Sequence, residues 1–469
     1  MRIPISLAMG LASILGWAQA PGPSTPSWMA PPAKEEDPLL QALIHDALDR
    51  YPEISRSKAL VEAERERILQ AKALPDPTIS LGLQNDGFKR LEVGRMETSY
   101  YQVMVTQPLP WPGKRGLRGE VARLGVDAAQ WSLLRARLSL RADVKRAYFG
   151  LLLARGQLQL LDQQATFLQQ AEAITRVRYE VGQGAQADLL RAQLERTRLQ
   201  QQRLGLQSQE AVSMADLNRL RGAALETHIP TTASLEAVPL ETVSAPALIA
   251  RAEQDSPELL AAKIGVHQAE KSLDLARLDR KPDFGVSAGL MPRGSLDPMW
   301  TVGVSVSLPI WGRQNRAIAE QEWRRKSQGF ELENVRGLLA QRIHERAAQL
   351  EAALGIIKIY REGLLVQSEA SFKATLAQYE AGRAPFLSVL ETLNGWTSDR
   401  GGLLQALAQA QALRVAQEAF DLGATAPISA PAPSSVAMGM GGNPAAPARS
   451  APKPSGDAPS AGASAMKSM

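Results

Sequence analysis

The chain is one unit written twice, and this duplication limits it to architectures with an internal repeat. Pro52-Glu53 returns as Pro257-Glu258. Pro75-Asp76, followed by Ile79-Ser80 and Gly82-Leu83, returns as Pro282-Asp283, Val286-Ser287 and Gly289-Leu290. Leu109-Pro110 before Gly113-Lys114 returns as Leu308-Pro309 before Gly312-Arg313, and Tyr179-Glu180 with Gly182 as Tyr379-Glu380 with Gly382. The spacing stays at roughly 200 residues. Each copy reads as helix, two short strands, very long helix, turn, helix. The copies cover 37–222 and 246–422, with a connector at 223–245.

The helices are too long for a globule. From Gly113 to about Val181 there is no proline and the pattern is helical, which gives a rod on the order of 100 Å. A seam with steps of four and three runs through Leu140, Val144, Ala147, Leu151, Ala154, Leu158, Leu161, Ala165 and Leu168, which is coiled-coil spacing. The second copy carries Leu339, Ile343, Leu350, Ala353, Ile357, Tyr360 and Leu364, with Arg346 and Gln367 as polar departures. The return helices, 186–222 and 386–422, are only shallowly amphipathic, as expected where one side meets partner helices and the other meets water. Prolines at 75, 77, 108, 110, 112, 282 and 309 mark the strand–helix junctions, since proline ends a ladder or opens a helix.

Two hairpins, 77–109 and 283–309, alternate with period two. Ile79, Leu81 and Leu83 oppose Thr78, Ser80, Gly82 and Gln84, and Tyr101, Val103 and Val105 oppose Gln102, Met104 and Thr106. Phe284, Val286, Ala288 and Leu290 oppose Gly285, Ser287 and Gly289. Trp300, Val302, Val304, Val306 and Leu308 oppose Thr301, Gly303, Ser305 and Ser307. One face is apolar and the other small and polar, which suits lipid on one side and a channel on the other. Tyr100, Tyr101, Trp111, Phe284, Trp300 and Trp311 stand near strand ends, as in the aromatic girdles of membrane barrels. The turns near Asn85-Asp86-Gly87 and Pro292-Arg293-Gly294 would face outside the cell. Four strands cannot close a barrel, and an open edge in lipid leaves backbone groups unpaired, so strands must come from further copies of the chain.

Composition narrows the location. Arg2, the apolar stretch Ile3 to Trp17 and Ala18-Gln19-Ala20 make 1–20 a secretory signal peptide. Residues 21–36 read as a flexible lead, and the Ala, Pro and Ser-rich tail 423–469 as disordered. No later run reaches the about 18 uncharged apolar residues of a membrane helix, so any crossing is by β-barrel. The absence of cysteine excludes disulfides and thiolate metal sites. A net charge of +5, with both signs interleaved, reads as a solvated surface with no nucleic-acid partner. His45, His228, His267 and His344 are scattered without metal-ligand spacing, and no catalytic motif appears, so no enzyme, cofactor or metal centre is expected. Met96, Met104, Met291 and Met299 lie near the hairpins. Thioethers suit soft metals, but lipid-facing or loop positions are the plainer expectation.

Together these features resemble the TolC family of outer-membrane efflux ducts over roughly residues 37–422. The most specific pieces are Arg178-Tyr179-Glu180-Val181-Gly182 running to Asp188-Leu189-Leu190, and Gln378-Tyr379-Glu380-Ala381-Gly382 running to Val389-Leu390-Glu391. The stretch Gln107-Pro108-Leu109-Pro110-Trp111-Pro112-Gly113-Lys114 is similar to members of the heavy-metal branch. The resemblance implies a mainly α fold with membrane β, in which three chains build a long α-helical barrel and a β-barrel of about 12 strands. It implies a passive exit duct for small molecules or metal ions in a tripartite efflux or type I secretion system. The partners would be outer-membrane lipid, a periplasmic adaptor and an inner-membrane pump of RND or ABC type.

The resemblance also assigns residues. Val181, Gly182, Gln183, Ala381, Gly382 and Arg383 match the adaptor-contact tips. Asp188 and Tyr379 match polar links of the periplasmic gate, and Glu391 matches an acidic gate position. Ser388 and Ala384 depart from the expected acidic and basic residues, with Arg383 adjacent as a substitute. Asp188 also sits where any helix N-terminus favours a carboxylate. The competing reading is a soluble periplasmic coiled-coil adaptor, which shares the signal and long helices but usually has one helical hairpin and no lipid-patterned strands.

Overall fold

The computed structural model describes residues 37–231, 233–240 and 244–423. The expected signal peptide, the flexible lead and the tail beyond Gly423 lie outside the described residues. The first copy comprises α1 (Pro38–Arg50), α2 (Pro52–Lys72), β1 (Thr78–Gln84), β2 (Tyr100–Leu109), α3 (Lys114–Glu180) and α4 (Gln186–Leu220). The second comprises α5 (Ala245–Asp255), α6 (Pro257–Leu278), β3 (Asp283–Arg293), β4 (Leu296–Ser307), α7 (Arg313–Ile359), α8 (Leu365–Glu380) and α9 (Phe386–Glu418). A π-helical turn, Tyr360–Leu364, joins α7 to α8, and a short 3₁₀ turn, Leu235–Ala237, lies in the connector. Among the described residues no helix is long and apolar enough to cross a membrane.

Local chemistry explains most element ends. Pro38, Pro52 and Pro257 open α1, α2 and α6, where a missing N–H costs nothing. Asp37 and Ser256 accept from the N–H groups of Leu39 and Leu259. At the far end of each long helix, Gly182 and Gly382 adopt φ of 72° and 77°, a left-handed turn that glycine enters without strain. Gln183 N–H donates to Arg178 O and Arg383 N–H to Gln378 O, both at 2.8 Å, which closes the same capping motif at both tips.

The long helical arms of the two copies differ in length by one residue, and this overturns part of the expected seam. Lys114–Glu180 is a single helix of 67 residues. Its counterpart is built of pieces of 47, five and 16 residues, one residue more. The π turn absorbs that insertion by widening a single turn. Up to its first residue, Leu339, Ile343, Leu350, Ala353, Ile357 and Tyr360 are buried as expected. From its last residue the seam slips by one: Leu364 is exposed, while Leu365, Phe372 and Tyr379 are buried. One residue is about 100° of helical rotation, enough to move a side chain off the seam.

The main core forms around Tyr148, Leu151, Leu217, Ile229, Ala353 and Leu407, and a second cluster nearer the tips contains Leu168, Leu199, Phe372 and Phe386. A cationic clasp holds the end of α9. Lys145 Nζ lies 2.8 Å from Glu418 Oε2 and Arg414 Nε 3.2 Å from Glu418 Oε1. Arg135 donates to Ala419 O at 2.8 Å and pairs with Glu258 at 2.8 Å. Burial pushes Glu418 up, but Lys145, Arg414 and Arg141 outweigh it and leave the carboxyl below its ordinary value of 4.5. Burial likewise opposes the Gly423 N–H and the Arg346 charge at Asp421, which ends below 3.8. Groups with depressed folded values stabilise the fold above their unfolded pKa and lose that contribution as pH falls through the folded one. The melting temperature in detergent is therefore expected to stay level from neutrality to about pH 5 and to drop below about pH 4. Glu418→Gln should blunt the drop; an identical profile would remove the clasp as its source.

Candidate functional site: sheet faces and helical tips

The four strands form one antiparallel sheet in the order β1-β2-β3-β4, so the two hairpins of the two copies lie side by side. The register aligns the faces. Ile79, Val105, Ala288 and Val302 form one cross-strand row, and Leu81, Val103, Leu290 and Trp300 another. Thr78, Thr106, Ser287 and Gly303 form a row on the opposite face, as do Ser80, Met104, Gly289 and Thr301. The apolar face is bare: Leu81 is 78% exposed, Trp300 77% and Val304 70%. The polar face is crowded. A Cβ on Gly289 would stand 3.0 Å from Thr301 Cγ2 and 3.2 Å from Val103 O, so glycine lets the strands approach there. Strands β1 and β4 each have only one neighbour, which leaves both edges of the sheet unpaired within the chain.

The junction between sheet and helices is tied across the two copies. Lys114, buried at the start of α3, donates to Asp283 Oδ1 at 2.8 Å and to Lys281 O at 2.9 Å. Trp111 N–H donates to the same Asp283 oxygen at 2.8 Å, and its ring stacks on Phe284 at 5.6 Å. The proline-rich 107–114 stretch thus anchors α3 to the first residues of β3.

At the opposite ends of the long helices, Val181, Gly182 and Gln183 form one turn and Ala381, Gly382 and Arg383 the other, all exposed. Asp188 lies in the first turn of α4, half-buried, with Arg191 at 3.3 Å. Glu391 is exposed on α9, and no ion pair involves it among the described residues. Tyr379 is only 3% exposed. Its hydroxyl shares a hydrogen bond with Thr175 Oγ1 at 2.6 Å, and Arg178 lies over its ring at 4.6 Å while donating to its carbonyl at 2.6 Å. The expected gate residues are therefore not brought together within one chain: Tyr379 is engaged by α3, and Asp188 by its own helix. Arg178 and Thr175 were missed as site residues. The signal lay in the repeat, where Arg178 stands opposite Gln378 although the surrounding motif is shared.

The sequence model of the family described as outer membrane efflux protein matches residues 43–223 and 248–419, one segment in each copy. The chain belongs to this family. As an outer membrane efflux protein it is a channel component of the outer membrane with a periplasmic helical part, and family members are channels rather than enzymes. The cobalt-zinc-cadmium resistance protein CzcC of Cupriavidus metallidurans is 23% identical over 363 residues, 77% of this chain and 84% of that protein. The nickel and cobalt resistance protein CnrC of the same organism is 26% identical over 295 residues, 62% of this chain and 69% of that protein. Among solved structures, the open state of the MtrE outer membrane channel of Neisseria gonorrhoeae shares the fold, with a TM-score of 0.66 at 21% identity over 82% of this chain and 89% of that chain. Membership of the family replaces the soluble-adaptor alternative, and the bare apolar face of the sheet is at odds with a water-soluble hairpin.

Proposed function

We propose that three copies of this outer membrane efflux protein close into one duct, a β-barrel in the outer membrane continued by a helical barrel in the periplasm, through which metal cations leave the cell. The observation that carries the reading is the sheet with two unpaired edges and one bare apolar face. In lipid such edges must be paired, and three sheets of this kind supply about 12 strands, within the range of known barrels. The cargo class is supported by similarity to two metal-resistance proteins. The duct is passive, and an inner-membrane pump of RND or ABC type supplies the energy. A periplasmic adaptor docks on the exposed tips, Val181-Gly182-Gln183 and Ala381-Gly382-Arg383. The copies span 37–222 and 246–422 as two quasi-equivalent parts of each wall. Outer-membrane lipid covers the apolar face.

The periplasmic end is gated by Asp188, Tyr379, Arg383 and Glu391. Three Glu391 carboxylates around an axis repel one another and attract cations. Tyr379 is the arm of the gate held within the chain, with Thr175 and Arg178 as its latch. Releasing the latch frees α8 and α9 from α3. Tyr379→Phe, Arg178→Ala and Asp188→Ala should each raise the mean potassium current through single trimers in planar bilayers, with the Arg178→Ala/Tyr379→Phe pair highest. Currents unchanged from wild type in all four proteins would discard these residues as the gate. A monomer in cross-linked outer membranes would discard the duct.

A further inference from the structure

Strand register, more than composition, decides where the methionines of the hairpins stand. Among the described residues Met96 lies in the β1–β2 loop and Met214 in α4. Met104, Met291 and Met299 lie within strands, and all three occupy the polar face. Alternation already places Met104 there; Met291 and Met299 depart from the expectation of a lipid-facing or loop position. Met291 pairs directly with Met299 across β3 and β4. Met104 pairs with Gly289, which is two residues from Met291 on the same face. Direct partners have Cβ atoms about 5 Å apart and diagonal ones about 7–8 Å, distances that flexible thioether arms span. Gly289 presents no side chain beside Met104, and the nearby positions of that face, Ser80, Gly82, Gln102 and Thr301, are small or polar, with Tyr100, Pro108 and Asp283 farther along it. Met291 thus stands between the other two thioethers, directly beside Met299 and diagonal to Met104, on one face of the sheet.

We propose that Met104, Met291 and Met299 form a thioether site on the lumen face that receives soft monovalent cations, Cu(I) or Ag(I). The inference rests on the duct reading, because only a duct makes this face wet. The ligand chemistry selects the ion. The chain has no cysteine, and among the described residues no group of three or more His, Asp or Glu is placed to hold a metal. Neutral sulfur ligands favour soft monovalent metals over zinc, cobalt or nickel, which prefer imidazole and oxygen. Neutral ligands also hold a cation loosely, and a conducting site must release what it binds. Met104 stands mid-strand and the Met291–Met299 pair lies toward the β3–β4 turn, so the site follows the path of exit.

The test uses the full-length protein in detergent, titrated with silver nitrate in chloride-free buffer by calorimetry, alongside single-trimer potassium conductance. Combined Met104→Leu, Met291→Leu and Met299→Leu substitutions keep apolar volume but remove the sulfur. The Ag(I) dissociation constant should rise by about tenfold or more, while Zn(II) binding and potassium current stay at wild-type values. A control with Met96→Leu, Met214→Leu, Met438→Leu and Met440→Leu should keep the wild-type Ag(I) affinity. Equal Ag(I) affinity in the triple variant, or no Ag(I) binding by the wild type, overturns the site. Absence of potassium current in the wild type overturns the duct instead. Should the triple variant fail to assemble, Met104→Leu and Met299→Leu alone are read by silver-edge X-ray absorption. A lower count of sulfur neighbours supports the site, and an unchanged count overturns it.

Discussion

Val302→Arg should leave almost no trimer in outer-membrane fractions, whereas Thr301→Arg, one residue away on the same strand, should assemble normally. Val302 lies on the bare apolar row with Ile79, Val105 and Ala288. An arginine at the lipid midplane costs about 2–4 kcal/mol per chain, and in the proposed duct of three chains the penalty is incurred three times. Thr301 faces the other way, beside Gly289. Its arginine meets water and should lower cation current by placing positive charge in the lumen. Heat-modifiable gel mobility of outer-membrane extracts reads assembly, and planar-bilayer reversal potentials read selectivity. Loss of Thr301→Arg alone would mean that the faces are assigned the wrong way round, and equal loss of both would remove the distinction between them.

Arg346→Met should be the most damaging substitution in the helical part. The guanidinium is 1% exposed and donates to Ala416 O at 3.2 Å, to Gly423 O at 2.8 Å and to Asp421 O. Ala416 O lies in the last turn of α9, and Asp421 O and Gly423 O in the segment that follows it, so the guanidinium ties that segment to the helix end. Burial lowers the Arg346 pKa, opposed by the Asp421 charge, and the residue is retained because it satisfies these oxygens. Methionine fills the volume but donates nothing. Losing two or three charge-assisted bonds to carbonyls that are in part buried costs about 3–5 kcal/mol. The expected readouts are a melting temperature several degrees lower in detergent and faster hydrogen exchange at the amides of α9. Arg346→Lys should recover part of the loss, since a single ammonium reaches fewer of the carbonyls. No change in exchange at α9 would show that other cations of the clasp suffice.

Most of the fold was legible in the sequence because its signals are local. Proline at 52 and 257, glycine at 182 and 382, and the two-residue alternation of 300–308 each act on the backbone within a turn or a strand. The seam after Tyr360 was not legible in the same way. Spacing alone placed Leu364 inward, but the extra residue is taken up by a π turn, and Tyr360 packs against Gly402, where a Cβ would collide with its hydroxyl. Nothing in the local pattern announces which of several neighbouring residues will be bulged out.

The candidate site divides in the same manner. The tip turns were found from their glycines, and the sheet faces from alternation. Arg178, Thr175 and the true setting of Tyr379 escaped, because each depends on a contact between residues some 200 positions apart: Arg178 and Thr175 both meet Tyr379. Thus the amino-acid order by itself determined the duplication, the helical rods, the two-faced strands and their turns. Tertiary structure alone decided which strand lies beside which, where the helical seam slips, what holds Tyr379, and that Met291 stands beside Met299 and diagonal to Met104. Backbone preference is settled among neighbours in sequence, whereas register and latch contacts are settled by packing between residues some 200 positions apart, where no local pattern carries the information.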